Sequence, residues 1–572
     1  MNELSKLERA VGSFLGAAVG DSMGWPNEDR AHHIRRLDKQ LVESGFSTWF
    51  RRRGWMAQTF EEPVYAGEYS DDTQLILATG RSLEHENWWA WFTGIELPVW
   101  LLYERGGGIA LKRAARSWTA GKPPWENPKD RNQYWSAGGN GVCMRILPHV
   151  ASDARDFSKI RIDVLRNGIS THGHPRALIG AVVYAFALWQ SFCQDEMLEF
   201  GRLIDVLLRE KDLWIEFSED YFNGIDWLKH FPDGIESYKL LWKSVAKEST
   251  DLLEASRSYI KQGALEFGDE ALRRIGAFDR NSGAAGTVTA CASVFLASRY
   301  AASPKQGLRF ASSLIGVDTD TIASMTGAVL GALHGREFLN HLAAEVQDSA
   351  YIEKIAARVQ SRSNDIPKSN GSKVQVPRRA LLAFTGALKS ASVGDAIPIP
   401  DGRRAKLIGK ENLNSRRGCA VLWRLATEDG QTLIHSSLQK PRGEKQALDS
   451  KNEDVSQQFA VKCFAHDLKK AREFYELTMG LPLTDSSSSA LKFAGFLIIE
   501  RTKKAHLPRL EDRDNETTTV VVEVKNIKEF YLKLRESGAD PSGVRARVGG
   551  GAGFYVFDPF GNRIEIFSKI GM

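Results

Sequence analysis

Two sets of glycines, each spaced four residues apart, place the strongest constraint on the fold of this chain. The sets are Gly12, Gly16 and Gly20 near the start, and Gly327, Gly331 and Gly335 in the second half. Residues four apart share one face of a helix, and residues as small as glycine allow a neighbouring helix to approach closely. We therefore expect tightly packed helices at both places, within a mostly helical domain.

Apolar residues recur at helical spacing from residue 1 to 362, and few stretches in that range alternate as strands do. This pattern predicts an all-α domain over residues 1–362. The longest apolar stretch, residues 177–189, is shorter than the roughly 20 residues that a bilayer-spanning helix needs. We expect a buried helix there and no membrane partner.

The 572 residues are too many for one core, because a domain typically holds about 100 to 200 residues. A polar stretch with Pro and Gly predicts a linker at 363–375, and short strand-like runs with Asp-Gly turns predict a small β-rich module at 376–440. A charged linker at 441–456 precedes a final segment, 457–572. In that segment a strand, a turn and an amphipathic helix occur twice, each followed by strand-like runs, which predicts an α+β domain of paired βαβββ units.

Charge and cysteine content exclude several classes of protein. The net charge of +5 gives no support to a general polyanion-binding role. The five cysteines are far apart in the sequence and include no C-x-x-C pair. This arrangement favours reduced thiols in a cytoplasmic protein over a disulfide framework or a zinc site.

An acidic stretch stands directly before an apolar helical run. It consists of Ser70, Asp71 and Asp72. Ser or Asp at this place commonly caps a helix, but capping needs only one of the three side chains. A second carboxylate beside the first is repelled by it unless a cation lies between them.

A matching stretch later in the chain contains Asp318 and Asp320, again before a Gly- and Ala-rich helix. The four aspartates of the two stretches supply enough negative charge to balance two divalent cations. The hydroxyls of Ser70 and Thr321 add neutral oxygen ligands. Ligation by oxygen alone favours Mg²⁺, Mn²⁺ or Ca²⁺ over Zn²⁺.

Five motifs, taken in order, resemble those of the ADP-ribosylglycohydrolase family. They are GDSMGWPNE at 20–28, SDDT at 70–73, GGNGVCMR at 138–145, THGHP at 171–175 and DTDT at 318–321. The resemblance implies an all-α domain that holds two Mg²⁺ ions, or Mn²⁺ in some members. It also implies hydrolysis of the bond between C1″ of ADP-ribose and a modified residue.

Carried over by motif position, the resemblance implies three groups of site residues. The implied metal ligands are Ser70, Asp71, Asp72, Asp318, Asp320 and Thr321, the implied substrate contacts are Gly139, Asn140 and His172, and the implied catalytic residues are Glu28, Asp71 and Asp318. Glu28 matches the acidic residue that the family places near the scissile bond. For His172 and His174 the alternative is a pair of structural histidines in the turn before Pro175.

These residues fit the chemistry of glycoside hydrolysis. Metals can orient the ribose diol and acidify a bound water, and a carboxylate such as Glu28 can pass a proton to the leaving group. We expect a metal-dependent hydrolase that removes ADP-ribose from a protein side chain or a nucleic acid. Hydrolysis of another N-glycoside metabolite and non-catalytic binding of ADP-ribose are the alternatives, although a pure binder is expected to lack the metal carboxylates.

Residues 49–55, WFRRRGW, combine three arginines with two tryptophans. Such a combination can contact nucleic acid or phosphate. We favour the interpretation that they form a solvated loop with two packed aromatic side chains.

The C-terminal segment resembles the glyoxalase/bleomycin-resistance superfamily, through its doubled βαβββ pattern and the run FDPFGNRIEIF at 557–567. Metal-dependent members use two His and two Glu. Glu500 and Glu565 match the acidic positions, whereas Ala460 and Thr519 stand where the histidines would be. The resemblance therefore implies a non-catalytic domain that binds a small ligand or contacts a protein.

Overall fold

A computed structural model gives the fold. The residues it describes are 4–28, 45–55, 58–152, 156–194, 198–262, 268–362, 374–413, 419–439, 461–465, 467–479, 483–487, 490–493, 496–500, 519–524, 526–536, 541–542, 544–546, 552–557 and 563–568. The chain divides into two compact units, Met1–Arg442 and Gly443–Met572. The first is mostly helical and the second contains two β-sheets, which confirms the predicted multidomain fold class.

Helices make up most of the first unit. They are α1 Lys6–Gly24, α2 Asp71–Ser82, α3 Trp88–Trp91, α4 Leu97–Trp100, α5 Ile109–Thr119, α6 Arg131–Ser136, α7 Leu147–Ser152, α8 Phe157–Ile169, α9 Pro175–Phe192, α10 Arg202–Arg209, α11 Asp212–Ile215, α12 Gly234–Lys261, α13 Gly268–Ile275, α14 Gly286–Arg299, α15 Pro304–Ser312, α16 Thr319–His334, α17 Leu342–Glu345, α18 Ser349–Gln360 and α19 Arg378–Ser390. Helix α9 contains the apolar stretch 177–189, which is buried as predicted. In the part of the chain that the structure describes, every helix is too short or too polar to cross a bilayer.

Helices α1 and α16 pack against each other along their glycine faces. A Cβ atom at Gly16 would lie 2.2 Å from the carbonyl oxygen of Gly327, and one at Gly20 would lie 2.2 Å from that of Ala323. Only a residue without a Cβ permits such an approach, so the predicted tight packing is confirmed. Because α1 ends where α16 begins, this contact fixes the distance between two of the acidic stretches.

A β-hairpin interrupts the helical unit. Its strands, β1 Trp49–Trp55 and β2 Gln58–Val64, are antiparallel. The interpretation of residues 49–55 as a solvated loop is therefore wrong. Arg51 and Arg53 are partly buried and form ion pairs with the buried carboxylate of Glu62 on the facing strand.

The described part of residues 376–440 forms a helix and a β-sheet. Helix α19 precedes an antiparallel four-stranded sheet, β3 Ala396–Pro398, β4 Arg404–Leu413, β5 Cys419–Thr427 and β6 Thr432–Gln439, in the order β3-β4-β5-β6. Leu388, Leu407 and Trp423 are buried in the same hydrophobic core as the helices of the first unit. This segment, called the β module below, thus packs directly on the helical part.

The second unit contains two βαβββ repeats, as predicted. Their elements are β7 Val461–Ala465, α20 Leu468–Arg472, β8 Leu483–Ser487, β9 Ala490–Phe493 and β10 Phe496–Glu500, then β11 Thr519–Glu523, α21 Ile527–Glu536, β12 Arg545–Ala546, β13 Ala552–Phe557 and β14 Arg563–Ser568. The sheet orders are β7-β10-β9-β8 and β11-β14-β13-β12, and the first strand of each repeat runs parallel to the last.

The register of these sheets distinguishes Glu500 from Glu565. Glu565 lies opposite Val521, two residues after Thr519, whereas Glu500 lies opposite Ala465, five residues after Ala460. The two residues therefore do not occupy equivalent positions in their repeats. Ala460 itself lies outside the described residues.

Candidate active site

Two helix starts position the acidic residues. The Ser70 hydroxyl accepts a hydrogen bond from the Asp72 N–H at 3.2 Å and so caps α2, which leaves both aspartates in the first turn. Asp318 precedes α16, but its side chain makes no capping hydrogen bond. Capping thus accounts for Ser70 and leaves the Asp318 carboxylate available for another partner.

Three carboxylates meet where α1 and α16 adjoin. A short 3₁₀ turn, Trp25–Asn27, continues α1 and presents Glu28, and carboxylate oxygens of Glu28, Asp318 and Asp320 lie within 4.8 Å of one another. The Asn27 amide holds this turn by donating to the carbonyl oxygen of Ser312 at 2.7 Å. Negative groups this close repel each other, and a cation between them removes the repulsion.

Asp72 connects the second acidic stretch to this cluster. The Thr321 hydroxyl donates to Oδ2 of Asp72 at 3.3 Å, and the Thr321 N–H donates to Oδ1 of Asp320 at 2.8 Å. The other oxygen of Asp72, Oδ1, is buried and has no hydrogen-bond partner among the described residues. A buried carboxylate oxygen left without a partner is costly, and a bound cation would satisfy it.

Asp71 is not among the three carboxylates that meet, and it faces a different loop. Gly106, with φ of +111°, passes so close that a Cβ there would lie 2.7 Å from Oδ1 of Asp71. Both the backbone conformation and the contact require glycine at this position. Glu104 and Lys112 are the other charged neighbours of Asp71 in this loop and the following helix.

The electrostatics of the cluster favour proton or metal uptake. Burial raises the pKa of Asp71, Asp72 and Asp320 well above the ordinary range, and neighbouring carboxylates raise it further, among them Asp21 for Asp72 and Glu28 for Asp320. A divalent cation would stabilise the ionised forms and displace the protons. The donor set, made of hard oxygens, fits Mg²⁺ or Mn²⁺.

Asp21 has a different role from its acidic neighbours. It is buried and accepts hydrogen bonds from the Ser70 N–H at 3.0 Å, the Thr73 N–H at 3.0 Å and the Thr73 hydroxyl at 2.6 Å. Burial raises its pKa, and these bonds oppose the rise. Asp21 therefore ties the end of α1 to the start of α2 and fixes the Ser70–Thr73 stretch.

The predicted substrate contacts lie in a second group. Gly139 pairs with Ala285 in an isolated β-bridge, and the Asn140 N–H donates to the carbonyl of Ala284 at 3.0 Å. The Asn140 side chain is mostly buried and donates to the Thr289 hydroxyl at 3.2 Å. The glycine-containing turn is thus anchored on the start of α14.

The two predicted histidines differ in role. His174 caps α9, because its Nδ1 accepts the Arg176 N–H at 3.2 Å, so the structural alternative applies to it. His172 is buried against the turn just described, where a Cβ at Gly141 would lie 3.1 Å from its Cε1. Burial and the charge of Arg145 lower the pKa of His172 to about 3, which keeps the imidazole neutral.

Sequence reasoning missed the loop that contacts Asp71. The run Gly106–Gly108 is the one local signal for it, since consecutive glycines mark a close backbone approach. The anchoring role of Asp21 and the positions of Glu104 and Lys112 depend on tertiary contacts, and no local pattern indicates them.

Two family models match this chain. The model of the ADP-ribosylglycohydrolase family matches residues 2–367, and that of the glyoxalase/bleomycin resistance protein/dioxygenase superfamily matches residues 459–566. The ADP-ribosyl-[dinitrogen reductase] glycohydrolase of Rhodospirillum rubrum is 26% identical over 178 residues, covering 29% of this chain and 52% of the relative. The chain thus spans about half the length of that curated relative.

Solved structures are more distant in sequence. An ADP-ribosylglycohydrolase-related protein complex is 19% identical, with 62% of this chain and 98% of the other covered at a TM-score of 0.38. A lactoylglutathione lyase from Agrobacterium tumefaciens is 17% identical, with 20% of this chain and 95% of the other covered at a TM-score of 0.17. Because the first family match covers more than half of its residues, this chain belongs to the ADP-ribosylglycohydrolase family and carries a C-terminal domain of the glyoxalase/bleomycin-resistance superfamily.

Proposed function

We propose that this chain removes ADP-ribose from a modified protein side chain or nucleic acid, by hydrolysing the C1″ glycosidic bond at a site for two Mg²⁺ or Mn²⁺ ions. The observation that carries this proposal is the meeting of the Glu28, Asp318 and Asp320 carboxylates at the junction of α1 and α16. Membership of a metal-dependent hydrolase family supports it.

The proposed metal ligands are oxygen groups from the two helix starts. They are Ser70, Asp71, Asp72, Asp318, Asp320 and Thr321. The fit is supported by Oδ1 of Asp72, which finds no hydrogen-bond partner in the described part of the chain, and by the raised pKa values of three of the aspartates. When bound, the cations supply Lewis acidity that acidifies water and orients the ribose hydroxyls.

Glu28 is the proposed proton carrier. It is only partly buried, and its carboxylate lies beside those of Asp318 and Asp320. A carboxylate in such a position can hold a proton and deliver it to the departing group. Asp71 and Asp318 complete the proposed catalytic set, because both are proposed metal ligands.

Gly139, Asn140 and His172 are the proposed contacts to ADP-ribose. The turn that carries the first two is anchored on Ala284 and Ala285, which keeps its backbone fixed. His172 is neutral because its pKa is lowered to about 3. A neutral imidazole can donate or accept a hydrogen bond without adding charge to the site.

The target class follows from the relative rather than from geometry. The name of the Rhodospirillum rubrum relative describes an ADP-ribosylated protein as its substrate. We extend that class, an ADP-ribosylated protein, to this chain and retain nucleic acid as the second substrate to test. Buried thiols at Cys143 and Cys291 support a cytoplasmic setting.

The second unit has a separate proposed role, in which it binds a small ligand or contacts a protein without a metal. The unequal register of Glu500 and Glu565 supports this proposal. It is further supported by Thr519, which begins β11 where metal-dependent relatives would have histidine.

The proposed function is tested by incubating the full chain with ADP-ribosylated arginine, serine and nucleic acid, with Mg²⁺ or with EDTA, and measuring free ADP-ribose. We expect metal-dependent release from at least one substrate, and its loss in a double variant with Asp318→Ala and Asp320→Ala. Asp251→Ala, which removes an exposed carboxylate paired with Lys247 on α12, is the control. Full turnover by the double variant would refute the assignment. ADP-ribose binding without any release would favour a binding protein or another N-glycosidase.

A further inference from the structure

We propose that the β module is a positioning element of the active site. Two of its side chains, Arg424 and Ser436, complete a buried network of ion pairs that holds the Gly106 loop against Asp71. This inference goes beyond the proposed function but also rests on it, because the proposed function makes Asp71 a metal ligand.

The first node of the network is Glu62 on the hairpin, which has no exposed surface. Its carboxylate accepts from Arg105 at 2.9 Å, Arg51 at 3.2 Å and Arg53 at 3.4 Å, and from the Ser436 hydroxyl of the module at 2.5 Å. Burial alone would raise the pKa of Glu62, but the three guanidinium groups outweigh it and hold the pKa far below the ordinary range. Glu62 is therefore ionised.

The second node is Glu68, which also contacts the module. One of its oxygens accepts from Nη1 of Arg105 at 2.7 Å, and the other accepts from Nη1 of Arg424. Arg424 also lies 4.6 Å from the centre of the Tyr65 ring. Both glutamates that hold Arg105 thus receive one further hydrogen bond from the β module.

Arg105 connects the network to the active site, because it contacts both the network and residues beside Asp71 and Glu28. It is almost completely buried, and the next residue, Gly106, passes Asp71 so closely that an added Cβ would lie 2.7 Å from its Oδ1. The Arg105 guanidinium also lies 5.4 Å from the centre of the Trp25 ring, in the turn that presents Glu28. A shift of Arg105 would therefore displace Gly106 beside Asp71. It would also displace Trp25, which lies in the turn before Glu28.

A second route from the module reaches the same loop. The Arg53 guanidinium donates to the Ser436 hydroxyl of the module at 2.8 Å and to the Glu104 carboxylate at 2.8 Å. Glu104 directly precedes Arg105 and is a charged neighbour of Asp71. Removal of a member from a buried charged network leaves the remaining charges incompletely paired, and small displacements of catalytic groups then become costly for activity.

Three variants of the full chain test the proposal: Arg424→Ala, Arg424→Lys and Ser436→Ala. Lys410→Ala is the matched control, because this module lysine donates only to the Ala391 carbonyl of the module in the described contacts. The readouts are Mn²⁺ affinity by calorimetry without substrate, the kcat for ADP-ribose release and the melting temperature. Metal affinity can be measured even if the proposed reaction is wrong, so the two failures are distinguishable.

We expect Arg424→Ala and Ser436→Ala to weaken Mn²⁺ binding and to lower kcat by about tenfold or more at temperatures well below unfolding. Arg424→Lys should retain part of the Mn²⁺ affinity and part of the kcat, because lysine keeps the positive charge. Lys410→Ala should change neither the Mn²⁺ affinity nor the kcat. A lower melting temperature with wild-type Mn²⁺ affinity and kcat would show that the module only stabilises the fold, and would overturn the proposal.

Discussion

Replacement of Gly20 by alanine should damage both the stability of the first unit and its metal site. The new Cβ would lie 2.2 Å from the Ala323 carbonyl oxygen and 2.5 Å from its carbon. Backbone atoms cannot rotate away as a side chain can, so α1 and α16 must separate by about 1 Å to restore van der Waals contact. Asp21 follows Gly20, and Asp320 and Thr321 precede Ala323, so the separation acts directly on the acidic cluster.

Two opposing effects decide the magnitude. Alanine is favoured over glycine in a helix interior by about 1 kcal/mol. Overpacking of a rigid core costs about 1–3 kcal/mol, and contact with backbone places this site at the upper end. We therefore expect a net loss of about 2 kcal/mol in the free energy of unfolding, together with weaker Mg²⁺ binding.

The control is Gly386→Ala in the middle of α19, where a Cβ would meet nothing within 4 Å. This change should stabilise the chain by about 0.5–1 kcal/mol. Urea titration followed by tryptophan fluorescence reports the first unit, because all 15 tryptophans precede residue 443. Equal stabilities of the two variants, or unchanged Mg²⁺ affinity in Gly20→Ala, would refute the packing argument.

Three further predictions test other parts of the structure. Burial lowers the pKa of His149 to about 3, so below about pH 6.5 the unfolded chain takes up a proton that the folded chain does not. The free energy of unfolding should then fall by about 1.4 kcal/mol per pH unit between pH 6.5 and 3 from this group, and urea titrations should find a smaller slope in His149→Gln. Glu62→Gln should destabilise the chain by about 3–5 kcal/mol in thermal unfolding, because it removes the buried carboxylate that Arg51, Arg53 and Arg105 share. Glu61→Gln, which changes an exposed residue on the same strand, should leave the melting temperature almost unchanged. Because the pKa values of Asp72 and Asp320 are raised, Mg²⁺ binding should release protons and tighten as the pH rises, which calorimetry in buffers of different ionisation enthalpy measures.

Most of the architecture follows from local patterns. The glycine spacing predicted the contact faces of α1 and α16, and the repeated strand and helix signals predicted both βαβββ repeats. The hairpin was missed because arginines at 51 and 53 suggest exposure. Their burial depends on the carboxylate of Glu62 on the other strand, and a single stretch of sequence does not show such a partner.

The candidate site was predictable to a similar extent. The acidic stretches indicated Asp72, Asp318 and Asp320, which the structure brings close to Glu28 or to Thr321. The anchoring role of Asp21 was not predictable, because its hydrogen-bond partners lie about 50 residues away and meet it only through packing. The metal stoichiometry and the individual roles of the residues stay predictions.

The central claim is that the acidic cluster binds the divalent cations on which hydrolysis depends. It is tested most directly by measuring ADP-ribose release from an ADP-ribosylated protein during a Mg²⁺ titration of the wild-type chain and of Asp318→Asn, which keeps the shape and removes the charge. We predict saturable Mg²⁺ activation in the wild type. In the variant, the rate of ADP-ribose release should be lower by a factor of about one hundred or more. Equal rates for the two proteins at every Mg²⁺ concentration, or equal wild-type rates with Mg²⁺ and with EDTA, would contradict the claim.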